Sequence, residues 1–236
     1  MSTPFFDDFW EASSLDEFSV RPFAERMNKF DADVKLLQLE YPEEATPLNL
    51  NVSRLSKIAG KRKSDRSFNK KPLSQKQIAT ILGAGMTVDG LEHRAYPAAG
   101  AQYSAELFQV IFNGEDLTGK IVYYDAEAHG YVRLPQDAPS WDEAKDRLNI
   151  EVSGMPQSLV LIVTFPDRVT EKYGERGGRF ALLEAGALMQ QLSLTVAATK
   201  QLKGVVVGGV FDEYWKDILG LSETTAHVAV GYLVGK

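Results

Sequence analysis

Residues 158–165 read SLVLIVTF, and residues 180–202 read FALLEAGALMQQLSLTVAATKQL. The first is an unbroken apolar run of strand length, the pattern of a strand buried on both faces. The second is rich in Ala and Leu with few charges, and predicts a helix from about Gly178 to Lys200. Being apolar nearly all round, that helix belongs deep in the core or in a subunit interface. Together they point to a central sheet covered by helices.

Further elements follow on both sides. Ser74 with Gln77 three residues on forms a capping-box signature, and Ile78, Ile81 and Leu82 continue it at helical spacing. Residues 105–112 (AELFQVIF) read as a strand, Val122–Asp125 and Tyr131–Leu134 as two short strands joined across Ala126–Gly130. Residues 205–207 begin another strand, ended by Gly208 and Gly209. Asp212 can cap a short helix to about Leu219, and 227–234 (HVAVGYLV) form a final strand. The expected class is α+β. Residues 1–55 form a lead-in to a main domain at 56–236. Its aromatics Phe5, Phe6, Phe9 and Trp10 pack on that domain or on a second subunit, or else serve as a docking arm for a partner protein.

The formal net charge of −6 speaks against a nucleic-acid binder, which usually carries a basic excess. With no cysteine in the chain, disulfides, thiolate metal sites and cysteine nucleophiles are excluded. The acidic N-terminus has no secretory pattern, and no run of about 18 apolar residues predicts a membrane span. The cytoplasm is the default address. Gly114–Lys120 (GEDLTGK) approaches a phosphate-binding loop, but Ile121 stands where Ser or Thr would bind magnesium, and Glu115 and Asp116 would repel phosphate. It reads as a surface loop. Gly83-Ala84-Gly85 lacks the third glycine of a dinucleotide fingerprint, and Gly85 is expected to end the preceding helix. His93, His129 and His227 show no ligand spacing, so no metal site is expected.

Four polar or glycine-rich segments remain. Lys61–Phe68 (KRKSDRSF) precedes a helix with the composition of a phosphate grip, or of a solvated basic loop. Tyr96–Tyr103 (YPAAGAQY) runs into a strand, with small residues that would let backbone approach a flat ring, or that simply form a turn. Glu171–Arg179 (EKYGERGGR) lies between the buried strand and the buried helix. Val207–Asp212 (VGGVFD) offers glycines for close approach of a cofactor, or a plain turn.

In their order and spacing these segments resemble the FMN-dependent nitroreductase superfamily, specifically its SagB-type or McbC-like dehydrogenase branch. The resemblance covers roughly residues 60–235. It is carried by Arg62, Ser64 and Arg66 (RxSxR), by Tyr96–Ser104, by Gly119–Asp125 with His129, by Lys172–Arg179 with the following LLEAG, and by Gly208–Asp212. It implies a nitroreductase-like fold with a mostly antiparallel sheet and a long buried core helix, FMN as cofactor, and a homodimer that binds FMN at its interface. Arg62, Lys63, Ser64 and Arg66 would hold the phosphate and ribityl chain. Pro97, Ala98, Ala99 and Ala101 would lie along the isoalloxazine, and Gly208 and Gly209 would face flavin N5. Lys172 and Tyr173 match a catalytic Lys-Tyr pair implicated in azoline oxidation. A lysine base needs its basicity lowered by burial or nearby cations, for which Arg176 and Arg179 are candidates.

The implied function is oxidation of thiazolines or oxazolines to azoles in a ribosomally made peptide, alongside a cyclodehydratase. An NAD(P)H-dependent reductase of nitroaromatics, quinones or enones is the alternative enzyme, and an FMN-binding scaffold subunit the non-enzymatic one. Three departures from the family pattern stand out. Ala98 and Ala99 replace the usual Ser and Gly. Gly178 replaces a common aromatic, which would widen the substrate site. Lys236 is a candidate to substitute for the cations of a C-terminal arm found in many members.

Overall fold

The structure, a computed structural model, describes residues 4–28, 52–83 and 93–236. In chain order the elements are α1 Pro4–Ser13, α2 Val20–Asn28, α3 Arg54–Ala59, α4 Gln75–Gly83, β1 Ala105–Ile111, β2 Lys120–Asp125, β3 Gly130–Asp137, α5 Trp141–Ala144, β4 Ser158–Thr164, α6 Asp167–Tyr173, α7 Arg176–Ala198, β5 Lys203–Val207, α8 Asp212–Ile218 and β6 His227–Gly235. The six strands form one sheet in the order β3-β2-β1-β4-β6-β5, and every neighbouring pair is antiparallel.

β4 stands near the middle of this sheet, which explains its unbroken apolar sequence. Leu159, Leu161 and Val163 face one core with Phe108, Val110, Val205 and Trp215. Val160 and Ile162 face the other with Ile78, Ile81, Leu188 and Leu192. Full burial of each such side chain favours folding by about 1.5–3 kcal/mol. The apolar run thus marks a central position rather than parallel pairing.

The predicted capping box is present. Gln77 N donates to Ser74 Oγ at 3.3 Å, and Ser74 N donates to Gln77 Oε1 at 3.0 Å. The reading of Gly85 as the helix end lies outside the described residues. The GEDLTGK segment connects β1 to β2, with Leu117 buried beneath it. Its Glu115 carboxylate accepts from Gln75 N at 3.3 Å, at the N-terminus of α4, where a negative charge suits the helix dipole.

The long helix α7 differs from its sequence expectation. It buries one face, with Ala181, Glu184, Ala185, Leu188, Leu192 and Val196, against the sheet. Leu182 and Leu183 on its other face are exposed. Of the two places its apolar sequence suits, core and subunit interface, the chain itself supplies the first along one side only. Asp212 also departs from expectation: it is the first residue of α8 rather than its cap, and its carboxylate reaches back to the N-terminal segment.

Candidate functional site

The Tyr96–Tyr103 segment and the Lys172–Tyr173 pair meet at Gly100. This residue sits at φ +57 within the short 3-10 turn Ala99–Ala101. A Cβ built on it would lie 2.6 Å from Tyr173 Oη and 2.7 Å from Lys172 Nζ. The backbone conformation calls for glycine, and the ends of two side chains converge on the space beside it. Lys172 and Tyr173 lie in the last turn of α6. Gly174, at φ +57, ends that helix and turns the chain into α7. Tyr173 is half-buried, with its ring edge-on to Phe180 at 5.0 Å, whereas Lys172 is exposed. The burial that a lysine base needs is thus not provided by this chain alone.

Two buried carboxylates hold this corner together. Glu184, in the LLEAG segment of α7, accepts from Ser104 N (3.1 Å), Ser104 Oγ (2.9 Å) and Ala105 N (3.1 Å). Glu106 of β1 accepts from the Arg94 guanidinium at 3.2 Å and from Arg168. Arg94 also donates to Ala105 O and Tyr96 Oη, and Arg168 to Tyr103 O. Burial, and Glu106 beside it, push the Tyr123 phenol up to about 12. Glu106 and Glu184 went unnoticed in the sequence. A charged residue inside a strand or an apolar helix was the available signal, since such residues are seldom fully buried unless paired.

The second group lies across the sheet. Asp65 N donates to Gly204 O and Ser153 N to Arg66 O, so Arg62–Arg66 is clamped between β5 and the Ser153 strand-like segment. Asp65, which interrupts the cations, is already engaged. Burial raises its carboxyl, but hydrogen bonds from Ser67 and from Lys63, at 3.2 Å, bring it below its ordinary value. Lys63, Ser64 and Arg66 line one hollow with Glu151 and Ser153. Arg66 and Glu151 continue into a cleft of about 800 Å³ with Gly208 and Gly209, where β5 ends. Such a volume suits a small-molecule site, which typically spans roughly 300–1,000 Å³. A Cβ on Gly208 would meet nothing within 4 Å, whereas one on Gly209 would strike Asn149. Arg62 lines a smaller adjoining hollow with Ser193, Lys203 and Tyr232, which shares Lys63 and Asp65 with the first.

Pro97, Ala98, Ala99, Ala101, Lys172 and Tyr173 do not line the Arg66–Gly208 cleft. The first group enters β1 and the second leaves β5, with β4 and β6 between them. At the usual strand spacing that is about 14 Å. The sequence-selected residues therefore form two clusters within one chain. Lys236 belongs to neither: its ammonium donates to Pro72 O at 2.7 Å.

The N-terminal segment runs between the two. Phe6 fills the space beside Gly178, where a Cβ would lie 2.6 Å from the ring Cγ. The aromatic missing at position 178 is thus replaced by one from α1, and the space is not left open. Glu175 accepts from Phe6 N at 3.1 Å, and Trp10 stacks on His227 with centroids 4.5 Å apart. Leu15 N donates to Asp212 Oδ2 at 2.9 Å, and Asp212 N to Leu15 O at 3.1 Å. Phe5 and Phe9, on the opposite side of α1, are exposed.

These contacts set a pH dependence. Burial pushes Asp212 up to about 6 despite its hydrogen bond from Leu15 N. The folded state then holds this proton more tightly than the unfolded chain, so its contribution is complete below about pH 4 and lost as pH rises through 6. Burial also pushes His227 down to about 4, aided by Lys216. Its contribution has the opposite sign, present above about pH 6.5 and lost as pH falls through 4. Between pH 4 and 6 the two oppose each other. Asp212→Asn keeps an acceptor for Leu15 N but cannot ionise. We expect it to stabilise the protein at pH 8 by up to about 3 kcal/mol and to leave a steeper loss of stability below pH 6.5. Urea unfolding across pH 4–8 measures this; a variant no more stable than wild type at pH 8 would rule it out.

Comparison with known proteins places this arrangement among others. The sequence pattern described as the nitroreductase family matches residues 59–236. A nitroreductase-type protein of Methanocaldococcus jannaschii is 27% identical over 171 residues, spanning 72% of this chain and 86% of that protein. Among solved structures, a chain from the Escherichia coli microcin synthetase McbBCD complex, with truncated pro-MccB17 bound, aligns with a TM-score of 0.68. It is 24% identical, over 93% of this chain and 90% of that one. The NADPH:FMN oxidoreductase of Vibrio harveyi, solved with NAD+, aligns at 0.52 with 16% identity, over 78% of this chain and 68% of that one.

Proposed function

Because the chain belongs to the nitroreductase family, we propose that it is an FMN-dependent dehydrogenase that oxidises azoline rings to azoles in a ribosomally made peptide. The observation that carries this reading is the convergence of Lys172 Nζ and Tyr173 Oη on Gly100, next to Ala98, Ala99 and Ala101. A flavoenzyme that only passes electrons from a nicotinamide has no need of a lysine and a phenol aimed at the ring-facing turn. Aromatising an azoline does need a proton acceptor. The fold likeness to a microcin synthetase chain supports the same direction.

The residues fit FMN. Lys63, Ser64 and Arg66 offer two cations and a hydroxyl to a phosphate. Gly208 leaves open space beside the cleft, so a flat ring can approach backbone there. Arg62, in the adjoining hollow that Lys63 also lines, would add a third positive charge beside the phosphate. The chemistry bound FMN would supply is acceptance of the hydride leaving the former Cβ of the substrate residue, with dioxygen as terminal acceptor. Lys172 takes the proton from the former Cα, and Tyr173 holds the ring or relays that proton.

The separation of the two clusters supports a homodimer, in which the Gly100 corner of one copy would complete the Arg66–Gly208 cleft of the other. The exposed Leu182 and Leu183 on α7 offer an apolar surface for that contact, and closure would bury Lys172. The peptide substrate, a cyclodehydratase partner and a cytoplasmic site of action belong to the same proposal.

The test is to incubate the purified protein with an azoline-bearing peptide in air, without NAD(P)H, and record the peptide mass. Loss of two hydrogens per ring is expected. An unchanged mass, together with rapid NADPH oxidation in the presence of a nitroaromatic or quinone, would move the protein to the reductases.

A further inference from the structure

We propose that the N-terminal segment is a working wall of the FMN site, with Phe23 and Met27 of α2 closing the cleft over Gly208 and Gly209. The proposal rests on the FMN reading above, and concerns residues that lie outside the stretch matched by the family pattern, which begins at residue 59.

Three observations carry it. Phe23, Ala24 and Met27 line the same cleft as Arg66, Gly208 and Gly209. Met27 and Phe23 are large apolar side chains left partly in the open, Met27 with 54% of its surface exposed. Both side chains also line a hollow against the end of α1, with Ala12 and Leu15, so together they form a continuous apolar edge beside the cleft. Third, the segment is fixed on both sides of the cleft. Before α2, Phe6 occupies the Gly178 socket, Trp10 stacks on His227, and Leu15 exchanges two hydrogen bonds with Asp212. At the end of α2, the Asn149 amide lies 3.9 Å from Met27 Sδ.

The physical consequence is a change in the character of the cleft. Without α2, the turn at Gly208 and Gly209 would face open solvent beside Arg66 and Glu151. With it, one side of the cleft is apolar, and a ring bound there would be shielded from water on that side, leaving the charged side for the phosphate. An aromatic ring and a thioether are both suited to pack on a flat, polarisable ring system. The wall is anchored through contacts far from α2, so a side chain introduced at Gly178 should act on the cleft at a distance by expelling Phe6.

The experiment titrates FMN into flavin-free protein and follows flavin fluorescence, with the visible circular dichroism of the bound flavin as a second readout. Four proteins are compared: wild type, Phe23→Ala/Met27→Ala, Gly178→Val, and Phe18→Ala, whose ring is on the same segment but 80% exposed. The double variant is expected to weaken FMN binding about ten-fold and to alter the flavin dichroism. Gly178→Val should do the same, and Phe18→Ala should match wild type. Met27 is exposed and Phe23 only half-buried, so the double variant is expected to keep its fold even if Gly178→Val does not. Wild-type affinity and dichroism in the double variant would overturn the wall while leaving FMN binding intact. A wild-type protein that takes up no FMN would instead overturn the reading on which the wall rests.

Discussion

Replacing Glu106 with glutamine should destabilise the protein by about 3–5 kcal/mol, the usual cost of leaving a buried charge without its partner. Glu106 is 3% exposed and faces two guanidiniums. Arg94 is itself only 10% exposed, so it cannot recover its lost partner from water. Arg168, at 40%, can. The cost should therefore fall on Arg94, and Arg168→Ala should cost clearly less than Glu106→Gln. For a chain of this size the larger loss corresponds to a fall in Tm of roughly 6–20 °C. Replacing the buried pair together, as Arg94→Met with Glu106→Leu, should recover much of it, because an apolar pair needs no desolvation. Calorimetry on the four proteins decides the matter. A Glu106→Gln variant within about 2 °C of wild type would show that the network contributes little.

The same network bears on the proposed site because of where it sits. Arg94 and Arg168 pin the backbone at Ala105 and Tyr103, and Glu184 pins Ser104 and Ala105 from the other side. The residues just before, Gly100, Ala101 and Tyr103, all have positive φ. For Ala101 and Tyr103 that conformation costs about 1–2 kcal/mol each relative to ordinary backbone. Such strain persists only where surrounding contacts over-determine it. Buried ion pairs at the start of β1 thus hold the turn that Lys172 and Tyr173 approach.

Much of this architecture was legible because its signals are local. All six strands, the Ser74 capping box and the long helix follow from runs of a few residues read against strand and helix periods. The family likeness rests on the order of five short segments. What escaped has two physical causes. Helices α1 and α6 are short, two to three turns each, and packed with charges. In α1 only Phe6 and Trp10, four apart, turn inward, while Phe5 and Phe9 turn out. Four aromatics in a row of acids do not announce which pair is buried. In α6, Val169 and Thr170 are the buried residues of a segment that otherwise reads as a polar linker. The other cause is distance along the chain. Glu184 meets Ser104 eighty residues away, and the ring that fills the Gly178 socket comes from position 6. Periodicity has no access to such pairings. An absent aromatic at 178 looks like free space until the fold delivers one from elsewhere.

The largest kinetic effect should come from Lys172→Arg. Arginine keeps the positive charge and most of the length, but it stays protonated at any working pH and cannot accept the Cα proton. Loss of general base catalysis typically costs about 10²–10⁴ in rate, and that fall is expected in azoline oxidation, with FMN affinity unchanged. Lys172→Ala should fall as far, and added methylamine should restore part of its rate by reaching the vacated position. Arginine leaves no such vacancy, so Lys172→Arg should not respond. Tyr173→Phe separates the partner's roles: a phenol that relays the proton is worth a large factor, whereas one that only packs on Phe180 is replaced by phenylalanine at little cost. The exposure of Lys172 in the single chain adds a further requirement. If a second copy closing over Lys172 is what lets it act as the base, dilution that separates the copies should lower activity. A Lys172→Arg protein retaining a third or more of wild-type oxidation would remove Lys172 from the role of base. The convergence of its ammonium with Tyr173 on Gly100 would then have to be explained as substrate binding alone.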